Sequence, residues 1–434
     1  MNEVTVVGAG LAGCEAAWQL ACRGIRVRLL EMKPRKRTPA HSADTFAELV
    51  CSNSLRSAEL STGPGLLKEE LRRMDSLILR CADESRVPAG GALAVDRERY
   101  SALVTDAIRS CPGIEVEERE VTEIPEGTVI VATGPLTADS LAEDIRRRTG
   151  GDGLSFYDAA APIVTFESID MDRAFFGSRY GKGTPDYVNC PMDREEYLAF
   201  REALCTAEEA PVHGFDDGCV FEGCMPVEVM ARRGEDTLRY GPLKPVGLRD
   251  PRTGKENYAV VQLRKDNNEG TLYNLVGFQT HLKFPEQRRV FGMIPALHSA
   301  EFVRYGVMHR NTYLDSPRLL DRYYRLRSEP RIRFAGQMTG VEGYIESTAS
   351  GLLAGVETAR ELLGQPPLDF PRETAIGALA LYVSDSSVED FQPMNVNFGL
   401  LTPLGYRVKG KQNKKLELSR RALAWYDGME EAKT

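Results

Sequence analysis

Two cysteines sit among residues that could make them reactive. Cys51 lies in LVCSNSLRS, bracketed by small polar residues (Ser52, Asn53, Ser54) that favour a loop, with Arg56 nearby. Cys224 lies in FEGCMPVEVMARRG, after Gly223 and before Pro226, with Arg232 and Arg233 close in sequence. The thiolate is the nucleophilic form of cysteine, and neighbouring cations favour it. Cys219 is the nearest rival to Cys224. Cys14 reads as packing at a helix–sheet contact, the usual fate of a free cysteine. The nine cysteines make an odd count without a CxxC pair, which argues against a disulfide framework and a zinc site and for reduced thiols.

A second pattern with a mechanism is Gly8-Ala9-Gly10-Leu11-Ala12-Gly13. It follows a β-branched run, Val4 to Val7, and opens a helical stretch, Cys14 to Cys22, that Gly24 stops. The first glycine permits the tight turn, the second lets backbone approach a pyrophosphate, and the third lets the helix close on the sheet. The helix N-terminus then offers free N–H groups to phosphates. Ile25 to Leu30 reads as the next strand, and Glu31 at its end is placed to accept hydrogen bonds from ribose hydroxyls. NAD, FAD and S-adenosylmethionine sites can all open in this way.

The elements that must position these groups follow from periodicity. Helices are expected over Leu66 to Cys81, Arg97 to Arg109 and Gly343 to Leu363, and strands over Ile114 to Ile124, Thr128 to Val131 and Arg331 to Phe334. Between Pro135 and Glu329 the pattern is rich in turns and short alternating runs, such as Tyr258 to Leu263 and Thr271 to Gln279. The expected fold class is therefore α/β, a Rossmann-type domain with an inserted, sheet-rich α+β domain. We place the first part of the dinucleotide domain at 1–175, the insertion at 176–305, and the second part at 306–434. With 434 residues, 42% of them hydrophobic, the chain can bury more than one core. No apolar run reaches the roughly eighteen residues of a membrane span, and the opening MNEVTVVGAG has no basic segment or cleavage site, so a cytoplasmic protein is expected. A net charge of −8 excludes a uniformly basic coat for nucleic acid but permits a local patch. Arg407 to Arg421 is such a patch, with seven Lys or Arg against one Glu.

VIVATGP (Val129 to Pro135) and RFAGQMTG…ESTASGLLAG (Arg333 to Gly355) resemble the second and third signatures of the glutathione-reductase-type FAD family. That resemblance selects FAD, and it assigns the ribityl and pyrophosphate cradle to Gly336 and Gln337, where Gln337 replaces the usual Asp. Val121 and Gly134 join the expected cofactor contacts. The absence of a second GxGxxG implies that NAD(P)H visits rather than resides.

GAGLAGCEAAW, CSNSLRS, FEGCMPVEVMARRG, GFQTHLKFPEQRRVF, YGVMHRNTYL, FAGQMTGVEGYIES and FQPMNVNFGL together resemble the folate- and FAD-dependent tRNA uracil-5-methyltransferases, the TrmFO family. The related GidA (MnmG) flavoproteins carry a different cysteine segment and a long helical C-terminal extension. The resemblance implies one-carbon transfer from methylenetetrahydrofolate to C5 of the T-loop uridine of tRNA, with reduced FAD supplying electrons and NAD(P)H regenerating it. It assigns Cys224 to attack at C6 and Cys51 to proton abstraction, with the reverse assignment, or a methylene-carrier role for Cys51, left open. It also implies a histidine stacked on the folate pterin, either His281 or His309. For the T-arm of tRNA the candidates are Arg407, Lys409, Lys411, Lys414 and Lys415, with Arg420 and Arg421, and separately Arg35, Lys36 and Arg37. No metal and no membrane are expected. The competing readings are a wobble-uridine-modifying sister enzyme, a non-catalytic FAD-binding partner protein and an S-adenosylmethionine methyltransferase.

Overall fold

Val4, Val6 and Val7 are buried almost completely, as the central strand of a parallel sheet requires. In the computed structural model that strand, Glu3–Val7, is the middle of five parallel strands. Their order is Ile332–Phe334, Thr128–Val131, Glu3–Val7, Arg26–Glu31, Ile114–Glu118. The structure describes residues 3–38, 40–150, 154–159, 161–181, 183–210, 225–266, 270–306, 308–388 and 391–431, with backbone alone for 154–159, 308–312 and 430–431.

Helices Leu11–Cys22 and Tyr344–Leu362 pack on one another beside this sheet. Their approach depends on absent side chains. A Cβ at Gly13 would lie 1.8 Å from the carbonyl oxygen of Gly8, and one at Gly351 would lie 2.2 Å from that of Ala12.

The helix expected over Leu66 to Cys81 is instead two, Gly63–Arg73 and Leu77–Glu84. Asp75 takes a left-handed φ of +54°, and Ser76 accepts from the Leu79 N–H at 3.2 Å, capping the second helix. Buried Glu15 adds its carboxylate at that N-terminus, accepting from the Ile78 N–H at 3.1 Å and the Ser76 hydroxyl at 2.7 Å. The partner that makes the break worthwhile comes from a different helix, so apolar spacing alone could not show it. The strand expected over Ile114 to Ile124 likewise stops at Glu118, and Arg119 turns back to donate to the Glu31 carbonyl at 2.8 Å.

The insertion is a six-stranded antiparallel sheet with its own core, including Val188, Val261, Leu263, Phe278 and Phe291. Strand Ile163–Thr165 belongs to this sheet although it precedes residue 176, because it pairs with Leu272–Leu275 and Phe302–Arg304. Among the described residues no helix is long and apolar enough to cross a membrane.

The C-terminal helix, Lys411–Glu431, buries Leu418, Ala422 and Tyr426 at helical spacing and docks on Gly63–Arg73. Glu70 joins three elements there. Its carboxylate accepts from the N–H groups of Ala375 (2.7 Å) and Ile376 (2.9 Å) and from the Tyr426 hydroxyl (3.0 Å). Burial pushes its pKa from 4.5 up to about 7. Between those values the folded chain keeps a proton that the unfolded chain releases, so stability falls as pH rises across the window, by up to about 3 kcal/mol. Glu15, Glu346 and Glu357 are raised by burial in the same direction. Glu70→Gln is therefore expected to flatten part of the fall in urea-unfolding free energy. A slope unchanged from the parent would refute this.

Candidate active site

At the carboxyl ends of strands Glu3–Val7, Arg26–Glu31 and Thr128–Val131 lies a cleft of about 1150 Å³ counted to its open mouth. Gly8, Ala9, Gly10, Leu11 and Ala12 line it, and Gly8 takes φ +97°, which only glycine adopts at little cost. No side chain caps helix Leu11–Cys22, whose N-cap is Gly10, and nothing stands within 4 Å of where a Gly10 Cβ would be. The first-turn N–H groups thus face open space that suits a phosphate. Gly13 does not line the cleft. Its part is the close packing already described.

Glu31 lines the cleft and closes the loop: one oxygen accepts from the Ala9 N–H at 2.7 Å, the other from the Lys33 N–H at 3.0 Å. Each carboxylate oxygen has a second lone pair, so ribose hydroxyls can still donate to it. Val121, Gly134, Gly336 and Gln337 also line the cleft. The Gln337 amide donates to both oxygens of buried Glu342, at 3.0 Å each. The charge lost where Gln337 replaces Asp is thereby held one residue contact away.

Cys51 is half-buried, one position beyond Val50, which lines the cleft. Its Sγ lies 2.9 Å from the hydroxyl of Tyr344, another lining residue, and its N–H donates to the same oxygen at 2.8 Å. The polar run that follows is a clamp between the two domains. The Asn53 amide donates to the carbonyls of Val95 (3.1 Å) and Lys265 (2.8 Å). Arg264 of the inserted sheet reaches Asn53 Oδ1 at 2.9 Å and Ser52 Oγ at 2.6 Å. Arg97 donates to the Leu49 carbonyl at 2.7 Å and pairs with Asp266 at 3.1 Å. Arg56, read from sequence as the cation near Cys51, pairs with buried Glu346 at 3.2 Å.

Cys14 is fully buried, and burial raises its thiol pKa well above the ordinary value, as packing demands. Cys224 and Cys219 lie outside the described residues, as does the side chain of His309. His281 is only 2% exposed, with its ring nitrogens 2.7 Å from Glu209 and 2.8 Å from Glu228. In this structure the imidazole edge is thus held by two carboxylates within the insertion, and its part in folate binding stays a proposal. His41, which sequence reasoning passed over, lines the cleft.

On the C-terminal segment Arg407, Lys409, Lys411 and Lys414 are exposed, and Lys415 is half-buried with its Nζ 5.9 Å from the Phe398 ring. Among the described residues none of these five forms an ion pair with a carboxylate. Elsewhere Lys36 pairs with Glu120 at 2.6 Å and Arg37 Nε with Asp44 at 3.0 Å, so that second cluster is largely neutralised. Arg420 pairs with Glu417 at 3.1 Å.

A parallel sheet, an uncapped glycine-rich helix start and a carboxylate at the end of the second strand define a dinucleotide-binding Rossmann-type domain carrying an antiparallel insertion. The family model described as glucose inhibited division protein A matches residues 3–366. Proteins named methylenetetrahydrofolate--tRNA-(uracil-5-)-methyltransferase TrmFO are similar over nearly their whole length. The one from Acetivibrio thermocellus is 61% identical (98% of this chain, 97% of that protein), and the one from Lactobacillus johnsonii 58% (100% and 99%). The chain belongs to the TrmFO family, within the group of glucose inhibited division protein A. A solved structure of Aquifex aeolicus GidA matches with a TM-score of 0.70 at 15% identity, covering 98% of this chain and 73% of that one, a likeness of fold.

Proposed function

We propose that this chain forms 5-methyluridine in the T-loop of tRNA, taking the carbon from methylenetetrahydrofolate and the electrons from FAD, which NAD(P)H reduces in the cytoplasm. The observation that carries this is a cysteine thiol hydrogen-bonded to a residue lining the dinucleotide cleft. The relatives' shared name supports the choice of substrates.

Carbon 5 of uracil attacks an electrophile only after a nucleophile has added at C6, and a thiolate suits that addition because it is polarizable and leaves again easily. We assign the addition to Cys224, on resemblance, and removal of the C5 proton to Cys51. When bound in its reduced form, FAD would supply the two electrons that convert a C5 methylene to methyl. Gly8 to Ala12 and Glu31 would hold its pyrophosphate and ribose, and Gly336 and Gln337 its ribityl end. The Arg264–Asn53 clamp fixes the Cys51 loop against the insertion, so a base delivered between the domains meets a rigid thiol. A histidine, His281 or His309, is assigned to the pterin on resemblance.

Purified protein given methylenetetrahydrofolate, NADPH and unmodified tRNA should yield 5-methyluridine. A bulkier wobble-uridine product, methylation without folate, or no turnover from yellow protein would reject the proposal. Lys411, Lys414 and Lys415 are assigned to phosphate contacts, so Glu at all three should weaken tRNA binding and flatten the log–log salt dependence by about 2 to 3, with bound FAD unchanged. Unaltered affinity would dismiss this patch.

A further inference from the structure

We infer that Tyr344 is a positioning residue that holds Cys51 as a thiolate by donating its only hydroxyl proton to the sulfur. This rests on the reading of Cys51 as a reacting thiol. A phenol carries one O–H donor and two lone pairs. Two backbone N–H groups point at the Tyr344 oxygen, that of Cys51 at 2.8 Å and that of Ser52 at 3.3 Å. An amide N–H can only donate, so the pair occupies the oxygen's acceptor sites. The remaining proton must then point outward, and Cys51 Sγ stands 2.9 Å away. Sulfur is the acceptor in that bond, and a donor aimed at the ionised form favours ionisation. On ionisation the thiol proton leaves to solvent, and the phenol keeps its own because burial raises its pKa well above the ordinary tyrosine value.

Charged groups from the neighbouring elements pack around this loop. Arg97 and Asp266 come from the helix Arg97–Arg109 and the inserted sheet, and Arg264 reaches the adjacent Ser52. Glu48 and His41 line the cleft beside Val50, and Arg304 approaches through the Ala40 carbonyl at 3.4 Å. Arg56 and Glu346 neutralise each other at the start of the Tyr344–Leu362 helix. None of these contacts replaces the phenol proton directed at sulfur.

The test is the pH dependence of Cys51 alkylation by iodoacetamide in the FAD-loaded protein, read by peptide mass mapping. Tyr344→Phe should raise the midpoint by about one to two pH units, slowing alkylation roughly tenfold or more below it, measured on the fraction that holds FAD. Site-specific 3-fluorotyrosine at 344 keeps the size of the ring but donates more strongly, so the midpoint should fall. A midpoint unmoved by fluorination would overturn the inference, whatever the phenylalanine variant does. Because no tRNA or folate is present, a shifted midpoint alongside absent 5-methyluridine would sink the proposed function and leave this role of Tyr344 standing.

Discussion

Cys51→Ala is expected to reduce 5-methyluridine formation by about 10²- to 10⁴-fold, the span that a positioned acid–base group contributes. The protein should stay yellow, because Cys51 is not among the residues that line the cleft. The fold should also hold. The clamp on this loop runs through Leu49, Ser52 and Asn53 rather than through the thiol, and Arg97 and Arg264 keep their partners when sulfur is removed. Quantifying 5-methyluridine in tRNA digests alongside flavin absorbance separates the two effects. Activity within tenfold of the parent would remove Cys51 from the chemistry. The same variant decides the division of labour. With 5-fluorouracil-containing tRNA and methylenetetrahydrofolate, the variant should still form a covalent adduct, mapped to Cys224, since addition at C6 does not need the base. An adduct lost with Cys51 would reverse the two assignments.

Gly13→Ala should cost more than any other single methyl group in the dinucleotide domain. The new Cβ would meet the Gly8 carbonyl oxygen at 1.8 Å and its carbonyl carbon at 3.0 Å, both backbone atoms at the turn from strand to helix. Relief would require lifting the helix Leu11–Cys22 from the sheet, which also pulls its uncapped N–H groups away from the phosphate position. A cost of about 3 kcal/mol or more is expected, the range of severe overpacking. The purified variant should be colourless and should unfold at lower urea than the parent. Full flavin content would show that the turn can relax at little cost and that this glycine does not set the site.

The five strands of the parallel sheet, the helix that follows the glycine-rich turn and the long helix after Gly343 were readable from local pattern. Each depends on interactions within a strand–turn–helix unit, where spacing alone dictates which side chains face inward. The place of Glu31 at the end of the second strand is of the same kind, whereas its bond to the Ala9 N–H emerges only in the structure. Family resemblance added the FAD signatures and the cysteine pair, because those motifs are contiguous.

Only the tertiary structure decided what surrounds the reacting groups. Tyr344 stands 293 positions from Cys51, and Arg264 stands 211 from Asn53. Arg56 is close to Cys51 in sequence yet is taken by Glu346, and His281 sits in a family-like segment yet is enclosed by Glu209 and Glu228. The physical reason is that a buried polar group takes whichever partner packing brings within hydrogen-bond reach, and that choice is made between elements rather than along them. Periodicity reports which face of an element is buried. It carries no information on which distant side chain will meet that face, and in this protein the thiol's proton, the histidine's partners and the break at Asp75 all turn on such meetings.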